Sequence, residues 1–316
     1  MGEQLRVLVT GGNGNLGSWI SDSLASAGHS VTILGRTRNQ FIKNRDYAFI
    51  PCDLTDREQV RSQLKGCAFS HVIHMSSAND AGSPDYSELA FRVNTLGTKY
   101  LLENLDLASL KGFQYFSTFH VYGRNSGRIT EEIPPNPRHD YASTHLFAEH
   151  YVQQYHNTHG LPYVIWRLSN SYGAPKFVDS TKWYLILNDL SRMAFEKKEI
   201  RLNSNGRAQR DLIWMGDVCK IVERALNVTP SLNSSYNLGS SKTYRMLDVA
   251  HAVQKAYEEA YGDALPIHLN DQDTTEHDQA LLFDCSKLQK IIPFEAVENF
   301  KAEAKKIFQL LEENMS

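Results

Sequence analysis

Three side chains that can exchange protons or hydrogen bonds with a substrate lie in two segments near the middle of the chain. Thr118 directly follows a predicted strand, within the segment FSTFHVYG. Tyr141 and His145 lie four residues apart in a predicted helix, so both are on one helix face and can reach a common substrate. The carboxyl ends of strands in open α/β sheets are where ligands bind. The two segments therefore indicate a reaction centre rather than a binding site alone.

A second group of residues, near the start of the chain, has the pattern of a nucleotide-binding turn. An apolar strand leads into Gly11, Gly14 and Gly17, and an amphipathic run follows. Gly11 allows a tight turn, Gly14 lets the backbone approach a pyrophosphate, and Gly17 lets the helix pack closely on its strand. The diphosphate then lies at the N-terminus of that helix. A strand before and a helix after the glycines favour a dinucleotide site over a structural turn.

Residues at the ends of the next two predicted strands are candidates to contact the adenosine half of that dinucleotide. Dinucleotide folds usually have an acid after the second strand for a ribose hydroxyl, but this chain has Gly35, followed by Arg36 and Arg38. Without the carboxylate, the two guanidiniums favour a 2′-phosphate, and hence NADP(H), with NAD(H) left open. Two solvated arginines are the alternative. Asp53, after the third strand, either meets the adenine edge or begins a loop or helix.

The scaffold that must position these residues is predicted from strand-like and helix-like patterns, which alternate through the first half of the chain. Such alternation is typical of βαβ units and a parallel sheet. The predicted strands are residues 5–10, 30–34, 48–52, 71–75, 112–117 and 163–168, and the predicted helices are residues 16–27, 57–64, 86–105 and 141–159. We therefore predict an α/β fold with a Rossmann-type, doubly wound parallel sheet of six or seven strands.

The pattern becomes irregular after residue 173. Its predicted helices are residues 180–196, 246–261 and 296–313, and its short extended pieces are residues 201–202, 212–214 and 236–238. We interpret residues 1–173 as a dinucleotide-binding domain that also contains the catalytic residues. Residues 174–316 are interpreted mainly as a smaller, interleaved α/β substrate lobe, with some segments returning to the first domain.

Composition excludes several classes of partner. The formal net charge is −3 and Lys and Arg are dispersed, so the chain has no basic stripe and is not expected to bind nucleic acid. No apolar run approaches the roughly 20 residues of a membrane helix, and no secretory leader pattern precedes the first strand. The cysteines lie far apart without metal-ligand spacing, so we expect no metal and reduced thiols in a cytoplasmic protein. They are Cys52, Cys67, Cys219 and Cys285.

Most of the chain resembles the extended short-chain dehydrogenase/reductase family, in particular its nucleotide-sugar epimerases, dehydratases and reductases. The resemblance is far more specific than the glycines alone. It depends on Tyr141, on Asp217, on the segment around Thr118, and on residues 10–17, 53–54, 74–78, 93–98, 167–173, 210–211 and 236–239.

The resemblance implies a role for each matching residue. Thr118 would hydrogen-bond the reacting sugar oxygen, and Tyr141 would exchange its proton while hydride passes between the sugar carbon and the nicotinamide. Asn170 would line the sugar diphosphate site and Arg210 would pair with the diphosphate, although a structural ion pair is the alternative for Arg210. The residues matched to the cofactor site are Gly11, Gly14, Asn15, Leu16, Gly17, Arg36, Asp53, Leu54, Ser76, Asn94, Tyr141 and His145.

One departure from the family pattern is His145, which stands where the family has a lysine that holds the nicotinamide ribose and lowers the tyrosine pKa. A positive charge at about 5 Å and an effective dielectric near 20 is worth roughly 3 kcal/mol, or about two pKa units. Histidine is mostly neutral at pH 7 and supplies little of this. We therefore expect Tyr141 to remain a phenol and to donate a proton more readily than it accepts one. A histidine that only binds the ribose or packs, or a decayed site, is the alternative.

Two further departures concern the substrate. The 4,6-dehydratases have an Asp-Glu pair after the threonine to protonate the leaving hydroxyl and remove the C5 proton, whereas this chain has Phe119 and His120. This argues against dehydratase activity and leaves His120 as an acid, a base or a passive substrate contact. Residues 276–278 lack the arginine with which the family often grips the nucleotide.

These observations together predict a cytoplasmic NAD(P)-dependent enzyme that acts on a nucleotide-activated sugar, at C4, through Thr118, Tyr141 and His145. An epimerase and a ketoreductase remain alternatives. A non-catalytic nucleotide-binding or redox-sensing module is the competing class. Family members often pair through a four-helix bundle, which here would use residues 86–105 and 148–155, so we expect a homodimer, unless those apolar faces belong to the core.

Overall fold

Regular strands and helices follow one another along the computed structural model, which describes residues 3–43, 47–78, 85–276 and 280–314. The strands are β1 (Arg6–Thr10), β2 (Ser30–Gly35), β3 (Ala48–Pro51), β4 (His71–His74), β5 (Gly112–Thr118), β6 (Gly127–Ile129), β7 (Tyr163–Leu168), β8 (Asn170–Tyr172), β9 (Ile200–Arg201), β10 (Gln209–Trp214), β11 (Ser234–Leu238), β12 (Thr243–Arg245), β13 (Ile267–His268) and β14 (Leu281–Phe283). The helices are α1 (Asn15–Ser26), α2 (Gln40–Lys43), α3 (Arg57–Leu64), α4 (Tyr86–Ala90), α5 (Gly97–Asn104), α6 (Asp140–His159), α7 (Ile186–Lys197), α8 (Met215–Leu232), α9 (Met246–Tyr261), α10 (Ser286–Gln289) and α11 (Phe300–Glu313).

The main sheet is parallel and has the strand order β11-β7-β5-β4-β1-β2-β3. Its central strands are buried on both faces, because α1, α8 and α10 cover one face and α3, α5 and α6 cover the other. Helices on both faces of a parallel sheet are the doubly wound arrangement. The predicted Rossmann-type fold is therefore confirmed.

A smaller part of the structure has its own core. A three-stranded sheet in the order β12-β10-β8 packs with α7, α9 and α11 around buried residues such as Leu190, Val253 and Phe308. The pairs β13-β9 and β14-β6 complete the strand pairing of the described residues. Among those residues, no helix is long and apolar enough to cross a membrane. The four cysteines are free.

The largest difference from the sequence prediction lies after β10. The 18-residue helix α8 was not predicted, and β11 was predicted only as a short extended piece. In the structure β11 is the seventh strand of the main sheet, where Ser234 pairs with Val164 of β7. Val218 and Val222 of α8 belong to the same core as the sheet. The chain therefore returns from the smaller part to the main sheet.

Three of the predicted helices also differ from the prediction in their bounds or continuity. The helix predicted over residues 86–105 has a π-helical segment, Phe91–Leu96, between α4 and α5. The helix α7 begins at residue 186 rather than 180. The last helix begins at residue 300 rather than 296, and the N–H groups of Val297 and Asn299 before it bond to Asp217 and to the Tyr172 hydroxyl, at 2.8 Å each.

The glycine turn after β1 shows which of its glycines the fold itself requires. Gly11 has a φ of +68°, and a Cβ at this position would lie 2.9 Å from the backbone nitrogen of Ser76. A Cβ at Gly17 would lie 2.1 Å from the carbonyl oxygen of Gly11, because α1 passes so close to the turn. Gly14 is exposed, and a Cβ there would meet only that same oxygen, at 3.2 Å. The fold therefore needs Gly11 and Gly17 far more than Gly14.

A matched pair of substitutions tests this difference. We expect Gly17→Ala to lower the free energy of unfolding by about 2 kcal/mol or more, because the added methyl meets rigid backbone. We expect Gly14→Ala, with its ordinary φ of −79° at the N-cap of α1, to cost less than about 1 kcal/mol. Urea unfolding of the two variants measures both values. Equal destabilisation would contradict this account of the turn.

Candidate active site

The glycine turn and the loop after β2 form one continuous surface at the carboxyl edge of the sheet. The Asn13 side chain donates to the Thr37 carbonyl at 3.1 Å, and Asn39 donates back to the Asn13 carbonyl at 2.9 Å. Asn13 also lies beside Gly35, at 3.6 Å from where a Cβ of that glycine would be. The two loops that would flank a dinucleotide are thus tied to each other by their own side chains.

The residues of this surface fit a dinucleotide. Gly14 is an exposed glycine at the N-cap of a 12-residue helix, where packing does not require it and where an anion is favoured. Asn15 is buried, and its Oδ1 has no hydrogen-bond partner among the described residues. Leu16 is partly buried and packs on the sheet core, while Gly17 supports the turn from behind. Because Gly14 has no side chain, an anion such as a diphosphate could approach the backbone at the start of α1 closely.

The other residues predicted to contact the adenosine lie in different surroundings: the two arginines are exposed, whereas Asp53 is hydrogen-bonded within its own loop. Arg36 and Arg38 are exposed, and Arg38 lies over the Phe49 ring at 5.2 Å. The Asp53 carboxylate accepts bonds from the backbone and hydroxyl of Thr55, at 2.8 Å each. These bonds shape the loop after β3, and Asp56 rather than Asp53 caps the next helix.

Two side chains support the sheet edge next to these contacts. Leu54 is buried, and a Cβ at Gly97 of α5 would lie 3.1 Å from the Leu54 Cβ. Thr10, at the end of β1, accepts bonds from the N–H groups of Met75 and Ser76, at 3.2 and 3.3 Å. Ser76 therefore lies directly against the glycine turn.

The loop after β4 joins the cofactor surface to the reaction centre. Asn94, in the π-helical segment, accepts from the Ala78 N–H at 2.8 Å and donates to the Thr144 hydroxyl of α6 at 3.0 Å. Local π-helical turns occur frequently at functional sites. Asn94 thus fixes the loop through backbone and side-chain bonds, and Ser77 of that loop points toward α6.

In the reaction centre Thr118 and Tyr141 lie within hydrogen-bond distance of each other. The sequence had predicted that both side chains reach a common substrate. Thr118 is buried at the end of β5, and its hydroxyl accepts from the His120 N–H at 3.2 Å. Burial raises the pKa of Tyr141 to about 12, the nearby hydroxyls of Tyr86 and Tyr184 add to this, and hydrogen bonds from Thr118 and Ser77 offset it in part. Tyr141 is therefore a protonated phenol at neutral pH.

His145 lies one helical turn beyond Tyr141, with the two rings 4.6 Å apart in an edge-to-face arrangement. Its side chain is almost fully buried, with Nε2 at 3.0 Å from the Ser77 hydroxyl and Nδ1 at 2.8 Å from the Tyr115 hydroxyl. Burial lowers the pKa of His145 to about 3, and His120 contributes. A neutral imidazole thus occupies the place where the family pattern has a cation.

Two histidines, His120 and His139, lie on the other side of the Tyr141 ring. The His120 ring lies 6.2 Å from the Tyr141 ring and 5.2 Å from that of His139. His139 is the N-cap of α6, where its Nδ1 accepts from the Ala142 N–H at 3.3 Å. Burial lowers the pKa of His120 to about 4, and the neighbouring His139 and Arg210 lower it further.

Two of the predicted substrate contacts, Asn170 and Arg210, lie on neighbouring strands of the smaller sheet. Arg210 is half-buried and donates to the Gln209 carbonyl at 2.8 Å, and its charge acts on His120 at the reaction centre. The Asn170 amide donates to the Asp211 carbonyl at 3.0 Å, which ties β8 to β10. Asp211 itself is buried and accepts from the side chains of Ser169 and Ser240, so it is structural. His277 and Asp278 lie outside the described residues.

Sequence reasoning missed four side chains that contact the site or lie beneath it. They are Ser77, Tyr115, His139 and Glu149. A usable signal existed in the strand sequence, since Tyr115 and Ser117 put hydroxyls on one face of a strand that is buried along its whole length. Buried hydroxyls require partners, and these could only come from the helix that covers the strand.

Comparison with known proteins agrees with this geometry. Residues 7–239 match the sequence model described as the NAD dependent epimerase/dehydratase family. A probable dTDP-glucose 4,6-dehydratase of Sinorhizobium fredii is 25% identical, over 98% of this chain and 93% of the relative. The UDP-glucose 4-epimerase of Bacillus subtilis is 26% identical, over 85% of this chain and 86% of the relative.

A solved structure extends the likeness to the fold. The UDP-glucose 4-epimerase of Thermus thermophilus in complex with NAD has a TM-score of 0.79 and 26% identity, and the match covers 98% of this chain and 99% of that one. Relatives named as 4,6-dehydratases stand beside those named as epimerases, so the comparisons do not support the exclusion of dehydratase activity that Phe119 and His120 suggested. The family match spans most of the chain, and the protein therefore belongs to the NAD dependent epimerase/dehydratase family, within the extended short-chain dehydrogenase/reductases.

Proposed function

We propose that this protein catalyses hydride transfer at C4 of a nucleotide-activated sugar and that reduction of a 4-keto group is its favoured direction. The observation that supports this is the protonated Tyr141 beside a neutral His145, with pKa values of about 12 and about 3. A group that is protonated at pH 7 is ready to donate to a developing alkoxide. Epimerisation at C4 uses the same donor in its second half, and the likeness to the Bacillus subtilis enzyme favours it as the second candidate.

Cofactor binding is assigned to the surface around the glycine turn. Gly11, Gly14 and Asn15 would hold the diphosphate at the start of α1, and Ser76 and Asn94 would shape the nicotinamide end. A bound nicotinamide cofactor would supply or accept the hydride. We assign NADP(H) rather than NAD(H), because Arg36 and Arg38 are exposed beside Gly35 where a ribose-binding acid is absent.

The chain's own residues account for the proton. Thr118 would hold the sugar oxygen through its buried hydroxyl, and Tyr141 would donate its phenolic proton to that oxygen as the alkoxide forms. His145 would orient this end of the site through Nε2 without adding positive charge. In the reverse direction Tyr141 must first lose its proton, and at pH 7 only about one site in 10⁵ is ionised when the pKa is about 12.

Substrate binding is assigned to the smaller part of the structure, as the predicted division near residue 173 implies. Arg210 would pair with the sugar diphosphate, since a guanidinium can make two parallel bonds to phosphate oxygens. Asn170 lies on the neighbouring strand and would line the same site. His120, between Tyr141 and Arg210, would contact the sugar. Its ring is neutral at pH 7, so it can accept a proton but is a weak acid, and by itself it does not supply both members of the acid–base pair that a dehydratase needs.

The proposed chemistry predicts a pH dependence that differs between directions. We expect the rate of keto-sugar reduction to change little between pH 6 and pH 9, because Tyr141 stays protonated and His145 stays neutral throughout. We expect alcohol oxidation to rise by about tenfold per pH unit as the small phenolate fraction grows. Initial rates in both directions, with purified nucleotide sugars, measure this.

Variants of the site residues provide the controls for these profiles. Tyr141→Phe should lower both rates by about a hundredfold or more. His145→Lys should move the rise in oxidation to lower pH, whereas the neutral His145→Gln should leave it in place. Equally flat profiles in both directions, or full activity of Tyr141→Phe, would contradict the assignment of Tyr141.

Cofactor choice gives a separate prediction. We expect Arg36→Ala to weaken NADPH binding by about tenfold or more while NADH binding stays within about twofold, because only NADPH has the phosphate that the guanidinium would pair with. Arg61→Ala is the control, since Arg61 is also an exposed arginine but lies on α3. Calorimetric titration of each variant with both cofactors measures the effect. Tighter binding of NADH than NADPH by the unaltered protein would refute the NADP(H) assignment.

We also propose that two copies of the chain associate through α6 and the π-helical segment that packs beside it. Leu89, Phe91 and Phe147 are 40%, 42% and 54% exposed, and the rings of Phe91 and Phe147 are 6.4 Å apart. An apolar patch of this kind, on adjacent helices, favours a partner that presents the same surface.

A charge placed in this patch tests the dimer. We expect Phe147→Asp to convert the protein to a monomer, because each copy would have to bury a carboxylate in the interface. Leu282→Asp, at a 42% exposed leucine of β14, should leave the oligomeric state unchanged. Light scattering after size-exclusion chromatography reads both variants. A monomeric parent protein at micromolar concentration would rule the dimer out.

A further inference from the structure

We propose that Tyr115 is a positioning residue that holds His145 as the neutral tautomer with its proton on Nε2, and that Ser77 accepts the hydrogen bond from that proton. The catalytic consequence rests on the proposed function, but the arrangement itself does not. The family pattern gave no role to Tyr115 or to Ser77, although Ser77 lies within the matching segment 74–78. Both contacts are direct, and one reaches each nitrogen of the ring.

Each ring nitrogen of His145 has one hydroxyl group within hydrogen-bond distance. Its Nδ1 is 2.8 Å from the Tyr115 hydroxyl and its Nε2 is 3.0 Å from the Ser77 hydroxyl. His145 is 3% exposed and Tyr115 is 1% exposed, so water does not compete for the bond between these two side chains. With hydroxyls at both nitrogens, the proton position depends on which hydroxyl donates.

The chemistry of the two partners decides the direction of each bond. Tyr115 keeps its proton, since burial raises the pKa of this phenol well above its usual value and the buried carboxylate of Glu149 raises it further. A phenol is a strong donor and a weak acceptor, whereas an unprotonated imidazole nitrogen is a strong acceptor. Tyr115 therefore donates to Nδ1, which leaves the ring proton on Nε2 and makes Ser77 its acceptor. The Ser77 hydroxyl then donates its own proton either to the phenol oxygen of Tyr141 or to the Ala78 carbonyl, which lies 3.4 Å away.

The strand and the helix are in register for this contact. Successive residues on one face of β5 are about 6.6 Å apart, and residues four apart on α6 are about 6 Å apart. Tyr115 accordingly meets His145, and Ser117 meets Glu149. Because the second pair fixes the alignment of α6 on β5, the first pair is held without any movement of the helix.

His74 offers an internal reference for the same reasoning. Its Nδ1 lies 2.6 Å from the Thr10 hydroxyl, and its Nε2 lies 2.8 Å from the Thr98 hydroxyl, which in turn donates to the Asn94 carbonyl. Because the Thr98 hydroxyl donates its only proton to that carbonyl, its oxygen must accept the hydrogen bond from Nε2 of His74. His74 therefore also has its proton on Nε2. Two buried histidines with the same tautomer should give the same spectroscopic pattern.

Nitrogen-15 NMR of the histidine side chains in the full-length protein tests the inference without any assay of turnover. We expect the His145 signals at pH 7 to show a protonated Nε2 and an unprotonated, hydrogen-bonded Nδ1, as for His74. In Tyr115→Phe we expect the Nδ1 signal of His145 to move to higher frequency, because its hydrogen bond is lost. Tyr236→Phe, which removes another buried hydroxyl of the main sheet, should leave it unchanged. A proton on Nδ1, or a charged ring, in the unaltered protein would overturn the proposal even if Tyr115→Phe failed to fold.

A double-mutant cycle separates positioning from a structural role. We expect Tyr115→Phe to lower kcat by about tenfold with little change in KM, and to have an effect of less than about twofold in a His145→Ala background. Equal effects in both backgrounds would show that Tyr115 does not act through His145. If no nucleotide sugar is turned over, the proposed function fails, while the tautomer of His145 remains decided by NMR.

Discussion

The site depends on one buried ion pair that lies beneath it. Glu149 of α6 and Arg167 of β7 are 2.7 Å apart, with side chains that are 1% and 7% exposed. Glu149 also accepts from the Ser117 hydroxyl of β5, and the Arg167 guanidinium lies over the Tyr122 ring at 4.9 Å. Two charges removed from water require each other, and loss of one partner of such a pair typically costs about 3–5 kcal/mol. The pair therefore restricts α6 to one position on the sheet.

That restriction is what places the reactive side chains. Tyr141, His145 and Glu149 are spaced by four residues, so they lie along one face of α6. Once Glu149 is held against β5 and β7, the phenol and the imidazole can reach only the carboxyl edge of β5. The same network continues outward, because the Tyr122 hydroxyl donates to Asn237 of β11 at 2.7 Å. The strand that returns from the smaller part of the structure is thereby joined to the floor of the site.

Much of the first half of the fold was accessible from the sequence, because its βαβ units have local hydrophobic patterns. The strand containing Thr118 and the helix containing Tyr141 were located within one residue. The helix α8 was missed, since it contains β-branched residues and Pro230, which weaken a helical pattern and which only packing against α1 and the sheet overrides. Pairing of β11 with β7 joins residues about 70 positions apart, and no local signal encodes such a contact.

At the site, as in the fold, the sequence predicted the features that depend on residue type and missed those that depend on packing. Substitution of the expected lysine by His145 was visible in the sequence, and charge alone predicted that Tyr141 would remain a phenol. Burial is the stronger effect, and it was not visible: it holds the pKa of His145 near 3, far below the ordinary value that the sequence argument used. A histidine near its ordinary pKa would have made the site gain charge as the pH falls below 7. The buried ring gains none, so the polarity of this end of the site comes from the hydroxyls of Tyr115, Ser77 and Thr118 and does not vary across the physiological pH range.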